Sequence, residues 1–359
     1  MLCYTHGRRK GWELVTGLRF SRTLVVASAV LLLRISSATA YENAYGNADG
    51  KADEKSSANP QVSIVPRPKA PAPSDILPKG NIRVDTTLVL IPVTVTDPLN
   101  RFVTGLEKEN FRIFEDKIEQ QIAQFSSEDA PLSVGVVFDC SGSMGNKLEM
   151  SRKAVAQFFK TANPEDEFFL VEFSDRADLV IKFTTSLEEI QNRLTFTQSK
   201  GKTALLDAVY LGLHEMKRAK NARKALLIIS DGGDNNSRYT ETEVKNLVRE
   251  ADVQIYAMGI FEPASSRGRT PEELGGPSLL SEISEQTGGR HFPVENLSEL
   301  PNIAEKIGIE LRNQYIIGYS PKSLERNGKY RRVQVKLVQP RGLPPLRAFW
   351  RLGYYAPTQ

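Results

Sequence analysis

The chain has 359 residues, 40% hydrophobic and 25% charged. That balance excludes a disordered or membrane-embedded chain, and the length suits two domains or one large one with additions. The formal charge of +4 belongs to the N-terminus: six of the 47 basic and one of the 43 acidic side chains fall in residues 1–40, which leaves 41 basic against 42 acidic residues and no nucleic-acid footprint.

Residues 1–40 start basic, continue through the apolar run Thr23–Leu33, and end in Ala38-Thr39-Ala40. The run is too short to span a hydrocarbon core of about 30 Å. It predicts an exported chain cleaved near Ala40, placed outside the cell or in the periplasm and envelope. An uncleaved leader would instead be a membrane anchor, the chain's only membrane contact. The pair Arg8-Arg9 is too little by itself for a twin-arginine signal. Cysteines occur only at 3 and 140. Cleavage removes the first, so no internal disulfide is expected.

Residues 41–80 are polar and then proline-rich (VPRPKAPAPSDILPKG), the composition of an extended spacer. Residues 81–128 change to β character: TTLVLIPVTVTD, FRIFED and IEQQIAQFS, with a turn at Asp116-Lys117. From 131 to 311 strands are expected at 133–139, 167–173, 178–183, 224–230 and 254–260. Helices are expected at 147–161, 186–194, 204–218, 240–250, 278–286 and 298–311. This alternation predicts an α/β fold with a doubly wound, mainly parallel sheet. Residues 312–359 return to β character in QYIIGYS, YRRVQVKLV and LRAFWRLGYY. We expect them to pair with 81–128 in one small β domain, with the α/β block inserted between.

The strand at 133–139 stops at Asp139, and Ser141 and Ser143 follow at alternate positions. A nucleophile, a phosphate cradle and a metal cup all fit such a stretch. In open α/β sheets, sites gather beyond the carboxyl ends of the strands. Two other loops at that edge carry matching chemistry: Thr203 opens the helix after SKGK, and Asp231 follows the apolar run ALLIIS. Asp139, Ser141, Ser143, Thr203 and Asp231 are all oxygen donors, a set suited to Mg²⁺, Mn²⁺ or Ca²⁺ rather than zinc.

DCSGSM with a distant threonine and a distant SDGxxN resembles the von Willebrand factor type A domain and its metal-ion-dependent adhesion site. The resemblance implies hydroxyl ligation by Ser141, Ser143 and Thr203. It also implies that Asp139 and Asp231 hold the metal directly or through water, and that a partner's Asp or Glu completes the shell. The flanks FRIFEDKIEQQIAQF and YIIGYSP resemble a bacterial family of exported proteins built around such a domain, in which FxxFEDxxxQxIxxF precedes it and YxxGYxP follows. Cys140 departs from the motif, and its side chain is expected to turn back toward the core.

Other chemistries fit less well. No GxSxG elbow or serine-directed histidine marks a hydrolase. A phosphotransferase using Asp139 would want an acid where Ser141 stands, and Gly201-Lys202-Thr203 lacks the upstream glycine of a P-loop. No enzyme is expected. His214 is expected to pack against the helix's apolar face, and His291 to start a strand. Asp207 is expected behind the site or on the surface, and Asp234 and Asn235 in loop hydrogen bonds. The basic run 217–224 is expected to solvate a helix end. The function expected is an exported metal-dependent binding module for a protein that presents a carboxylate. The alternative is an envelope assembly subunit with a vestigial or purely stabilising metal site.

Overall fold

The computed structural model describes residues 88–261, 271–323, 325–340 and 342–358. The predicted leader (1–40) and linker (41–80) lie outside the described residues. The elements fall into three runs. The first is β1 (Val89–Thr96), β2 (Phe111–Glu115), β3 (Ile118–Gln120) and β4 (Ile122–Ser126). The second opens with β5 (Leu132–Asp139), α1 (Leu148–Phe159), β6 (Glu167–Phe173), β7 (Ala177–Thr184), α2 (Leu187–Thr195) and α3 (Leu205–Glu215). It continues with β8 (Arg223–Ser230), α4 (Glu241–Glu250), β9 (Gln254–Ile260), α5 (Pro271–Gln286), β10 (His291–Val294) and α6 (Leu300–Arg312). The third is β11 (Tyr315–Tyr319), β12 (Tyr330–Leu337), β13 (Arg347–Trp350) and β14 (Gly353–Tyr355).

Every residue of β5 is buried, because a strand with parallel neighbours and helices on both faces has no polar side. Val134, Val136 and Phe138 pack with α1, α2 and α6, while Val137 packs on the opposite face with α3, α4 and α5. The sheet runs β10-β9-β8-β5-β6-β7, parallel throughout except for β7 against β6. This is the doubly wound α/β fold that the alternation predicts. The chain moves out from β5 to β6 on one side and returns to β8 on the other. The resulting crevice opens between the carboxyl ends of β5 and β8.

Two helices differ from their sequence-predicted spans. The α-helical part of 204–218 ends at Glu215 and tightens into a 3-10 turn at Met216–Arg218. α5 begins at Pro271, well before the expected 278, and carries Pro277 inside it. Gly276 explains why the sequence misleads there. A Cβ at that position would sit 2.4 Å from the Gly232 carbonyl carbon, so this glycine serves close helix-to-loop packing rather than helix termination.

The flanking strands form two four-stranded sheets, β13-β1-β11-β4 and β14-β12-β2-β3. They enclose one apolar core that includes Ile91, Val93, Phe111, Ile113, Tyr315, Ile317, Val333 and Val335. Two segments that read as single strands in the sequence break at the edges. After Gln121 the chain leaves β3, paired to β2, for β4, paired to β11. Around Arg351 and Leu352 it leaves β13, paired to β1, for β14, paired to β12. Both sandwich corners are therefore made by strands that switch sheets. β4 and β11 are antiparallel neighbours, with Ser126 opposite Ile316, so the α/β block leaves and rejoins one sheet at adjacent strands.

A buried polar cluster joins the sandwich to the α/β block. Arg290 Nη1 donates to Glu310 Oε2 at 2.9 Å and Nη2 to Asn100 Oδ1 at 3.0 Å. Its guanidinium lies between the rings of Phe292 and Phe349. Tyr256 donates to Glu310, and the Gln314 amide donates to both Thr94 and Tyr256. Burial pushes the Glu310 carboxyl up, and Arg290 pulls it back. Among the described residues no helix is long and apolar enough to cross a membrane.

Candidate metal centre

β5 ends at the crevice and presents Asp139, fully buried. Its Oδ1 accepts the Ser141 backbone N–H at 2.9 Å, an Asx-type turn that swings the next residues across the strand end. Its Oδ2 accepts the Ser230 hydroxyl at 2.6 Å, and Ser230 Oγ in turn accepts Gly232 N–H at 3.0 Å. The turn brings Ser141 Oγ and Ser143 Oγ to 3.1 Å. Neighbouring ligands in an octahedral shell of about 2.0–2.1 Å radius stand roughly 2.9 Å apart. The two hydroxyls are thus spaced as adjacent ligands of one small ion would be.

Hydrogen bonds strap the other loops to this turn. Gly142 N–H donates to Gly201 carbonyl, and Lys200 N–H to Cys140 carbonyl, both at 2.9 Å; the Ser199 hydroxyl donates to the Ser141 carbonyl. Gly201 adopts φ +77° with the Asp175 carboxylate where a side chain would stand, a position only glycine fills without strain. Thr203 is buried; its N–H donates to Asn235 Oδ1 at 2.9 Å, and its carbonyl accepts Asn235 and Asn236 N–H. Asp231 stands just beyond β8, its Oδ2 at 3.1 Å from Lys147 Nζ. So Asp139, Ser141 and Ser143 meet in one turn. Thr203 is bonded to Asn235 and Asn236 of the third loop, and Asp231 acts on Asp139 through its charge.

The electrostatics follow from this crowding. Burial pushes the Asp139 carboxyl up to about 7, and the Asp231 charge adds to it, while hydrogen bonds from Ser141 and Ser230 oppose the rise. Among the described residues no three His, Cys, Asp or Glu side chains converge on a metal position. The residues at these strand ends offer two carboxylates, Asp139 and Asp231, and the hydroxyls of Ser141 and Ser143. An all-oxygen donor set fits a hard divalent cation, and a stand-in cation, the Lys147 ammonium, already lies against one of the carboxylates.

The remaining sequence-stated residues sort by contact. Asp234 Oδ1 accepts Leu206 N–H and the Ser237 hydroxyl, loop bonding as expected of it. Asp207 is buried rather than on the surface and accepts Arg238 N–H, Tyr239 N–H and the Arg238 guanidinium; it holds the end of the Asp231 loop. His214 is exposed, against the expectation that it packs, because α3 buries Leu213 and Glu215 on either side of it. His291 does start a strand, partly buried, with Nε2 lacking a hydrogen-bond partner. Cys140 turns away from the cup: its thiol donates to Phe173 carbonyl at 3.1 Å beside a cavity of about 280 Å³. Burial, followed by the charges of Glu172 and Asp139, pushes that thiol up to about 12.

The sequence pattern does not mark two residues that touch the carboxylates. Ser230 closes β8 as one more small residue before Asp231. Lys147 opens α1, where lysines usually face solvent. The signal for Lys147 is its distance of eight residues from Asp139 across a turn that doubles back on the strand end.

Residues 134–233 match the family model described as the von Willebrand factor type A domain. The chain is 26% identical over 218 residues to an uncharacterised protein of Borreliella burgdorferi, covering 52% of this chain and 64% of that one. It is 30% identical over 146 residues to the mouse inter alpha-trypsin inhibitor, heavy chain 4, covering 36% of this chain and 16% of that one. The chain thus spans less than two thirds of either relative. Among solved structures, a von Willebrand factor type A protein of Catenulispora acidiphila has a TM-score of 0.45 at 13% identity, covering 76% of this chain and 74% of that one. Mussel byssus proximal thread matrix protein 1, with a zinc-occupied MIDAS motif, has a TM-score of 0.43 at 19% identity, covering 56% and 50%. Residues 134–233 thus carry the von Willebrand factor type A domain.

Proposed function

We propose that the protein is an exported, metal-dependent protein-binding module whose cup takes an Asp or Glu carboxylate of a partner protein. The observation that supports this reading is the meeting of two neighbouring strand ends: Asp139 closes β5 and Asp231 follows β8, and the Ser141 and Ser143 hydroxyls lie 3.1 Å apart in the turn after Asp139. Asp139, Ser141, Ser143, Thr203 and Asp231 are the residues that would hold Mg²⁺, Mn²⁺ or Ca²⁺. When bound, such an ion supplies a Lewis-acidic position that accepts an outside carboxylate oxygen. The chain's own part is positional. Ser230 and the Ser141 N–H fix the Asp139 carboxylate, the Gly201 and Asn235 bonds fix the second and third loops, and hydroxyl donors leave the ion's charge largely uncancelled. Nothing in such a device requires turnover, a nucleic acid or a membrane beyond an uncleaved leader.

A second reading, an envelope assembly subunit whose site is vestigial or only stabilising, is favoured by one observation. The Lys147 ammonium, 3.1 Å from Asp231 Oδ2, offsets the charge of that carboxylate from within the chain. Thermal unfolding with and without millimolar Mg²⁺ or Mn²⁺ tests the metal reading. Wild type should unfold at higher temperature with the ion, because a ligand bound only by the folded state stabilises it, and Asp139→Ala should lose that gain. An equal gain in both proteins would overturn it. Metal-dependent capture of carboxylate-bearing peptides from a library, absent in Asp139→Ala, would separate the binding module from the assembly subunit.

A further inference from the structure

Lys147 is built into the cup rather than resting at its edge. Its N–H donates to Met144 carbonyl at 2.9 Å, and its carbonyl accepts both Ser151 N–H and the Ser151 hydroxyl at 3.0 Å. The backbone from which the side chain extends is therefore fixed on both sides. The side chain is only 8% exposed, and Asp231 opposite it only 12%. Burying an ammonium this deeply is costly, and the cost is offset only by a partner that stays in place. Among the described residues, its one ion pair is with Asp231, at 3.1 Å.

Resting on the metal reading above, we infer that Lys147 sets the charge of the cup, weakening cation binding while strengthening binding of the partner's carboxylate. With both carboxylates ionised, Asp139, Asp231 and Lys147 together carry one negative charge, which repels an incoming carboxylate. A divalent cation brings the same group to one positive charge, which attracts it. Without Lys147 the empty cup would carry two negative charges and the loaded cup none. The cation would then bind more tightly, and the loaded site would have lost its attraction for an anion. A lysine thus makes the partner's docking conditional on the ion: the sign of the cup reverses on loading, rather than falling to zero. A purely structural lysine predicts something different, lower stability on its removal with both affinities falling together or staying unchanged.

The test uses the whole chain at pH 8 and low ionic strength, where charges are least screened. Mn²⁺ is titrated by calorimetry. Acetate is then titrated into the Mn²⁺-saturated protein and followed by the loss of water-proton relaxation enhancement, with chloride as the control anion. Lys147→Met should bind Mn²⁺ on the order of tenfold more tightly, since a unit charge a few ångströms away has an effect of at least that size. It should bind acetate more weakly by a similar factor. Lys147→Arg should restore both wild-type values. Lys147→Gln, which keeps a donor toward Asp231, gives the same comparison if the methionine variant does not fold. If wild type binds Mn²⁺ but the neutral variants bind it equally or more weakly, this inference falls and the metal reading stands. Tighter Mn²⁺ binding with unchanged acetate binding also overturns it. If wild type binds no Mn²⁺, both readings fall.

Discussion

The Tyr319 hydroxyl donates to Glu115 Oε2 at 2.7 Å, across 204 residues of sequence. Tyr354 donates to the same oxygen at 2.7 Å, and Arg331 Nη1 donates to Oε1 at 3.1 Å. One buried carboxylate therefore gathers β2, β11, β12 and β14, tying both sheets of the sandwich together. It also gives a physical meaning to FED in the first flank and GY in the second: their glutamate and tyrosine are in contact.

Breaking this cluster from its centre should cost far more than trimming it. Glu115→Ala leaves the Arg331 guanidinium buried without its counter-charge and should destabilise the protein by about 3–5 kcal/mol. Tyr319→Phe removes one of three hydrogen bonds and should cost about 1 kcal/mol. Urea unfolding of the two variants measures both, and equal costs would show that the carboxylate is not the organising group.

In the metal-free protein Asp139 should contribute a loss of stability as pH rises from about 4 to 7. The folded Asp139 carboxyl is raised to about 7, against about 3.9 in an unfolded chain. Between those values the folded state keeps a proton that the unfolded chain has released, so this site's contribution is greatest at the acid end and is lost by about pH 7. Asp139→Asn should flatten the slope contributed by this site. Melting temperatures measured in chelator across that range would show it, and an unchanged slope in the variant would count against a perturbed Asp139.

Cys140 should be nearly inert to alkylation while folded. Its thiol is buried, hydrogen-bonded to Phe173 and raised to about 12, so almost no thiolate exists at pH 8 to attack a reagent. Peptide mapping after iodoacetamide should find Cys140 modified readily in urea and scarcely at all in the native protein. Complete native labelling within minutes would contradict the burial.

Local pattern carried much of this molecule. The unbroken apolar stretch of β5 needs parallel neighbours on both sides, and Asp139 at its end needs a polar crevice; both follow from periodicity and position. Strand switching at Gln121 and at Arg351-Leu352 did not follow, because a strand that changes partners keeps its β residues and its alternation. Only tertiary pairing distinguishes the two halves. Lys147 was hidden for a related reason. Its burial depends on Asp231, a partner 84 residues away, whereas the sequence around it reads as an ordinary helix start. The exposure of His214 was hidden because α3 is apolar around most of its circumference and buries even Asp207 and Glu215, so the helix sequence alone does not say which way His214 faces.

The pairing of β4 with β11 has a mechanical consequence. A pull applied between the two ends of the described chain enters at β1 and leaves after β14, both strands of the sandwich. The α/β block hangs from adjacent strands of one sheet, whose neighbours stand roughly 5 Å apart, so tension passes by its roots without stretching it. Under load the ladder joining β4 to β11 acts as a clasp, and the crevice at the ends of β5 and β8 keeps its shape until that clasp opens.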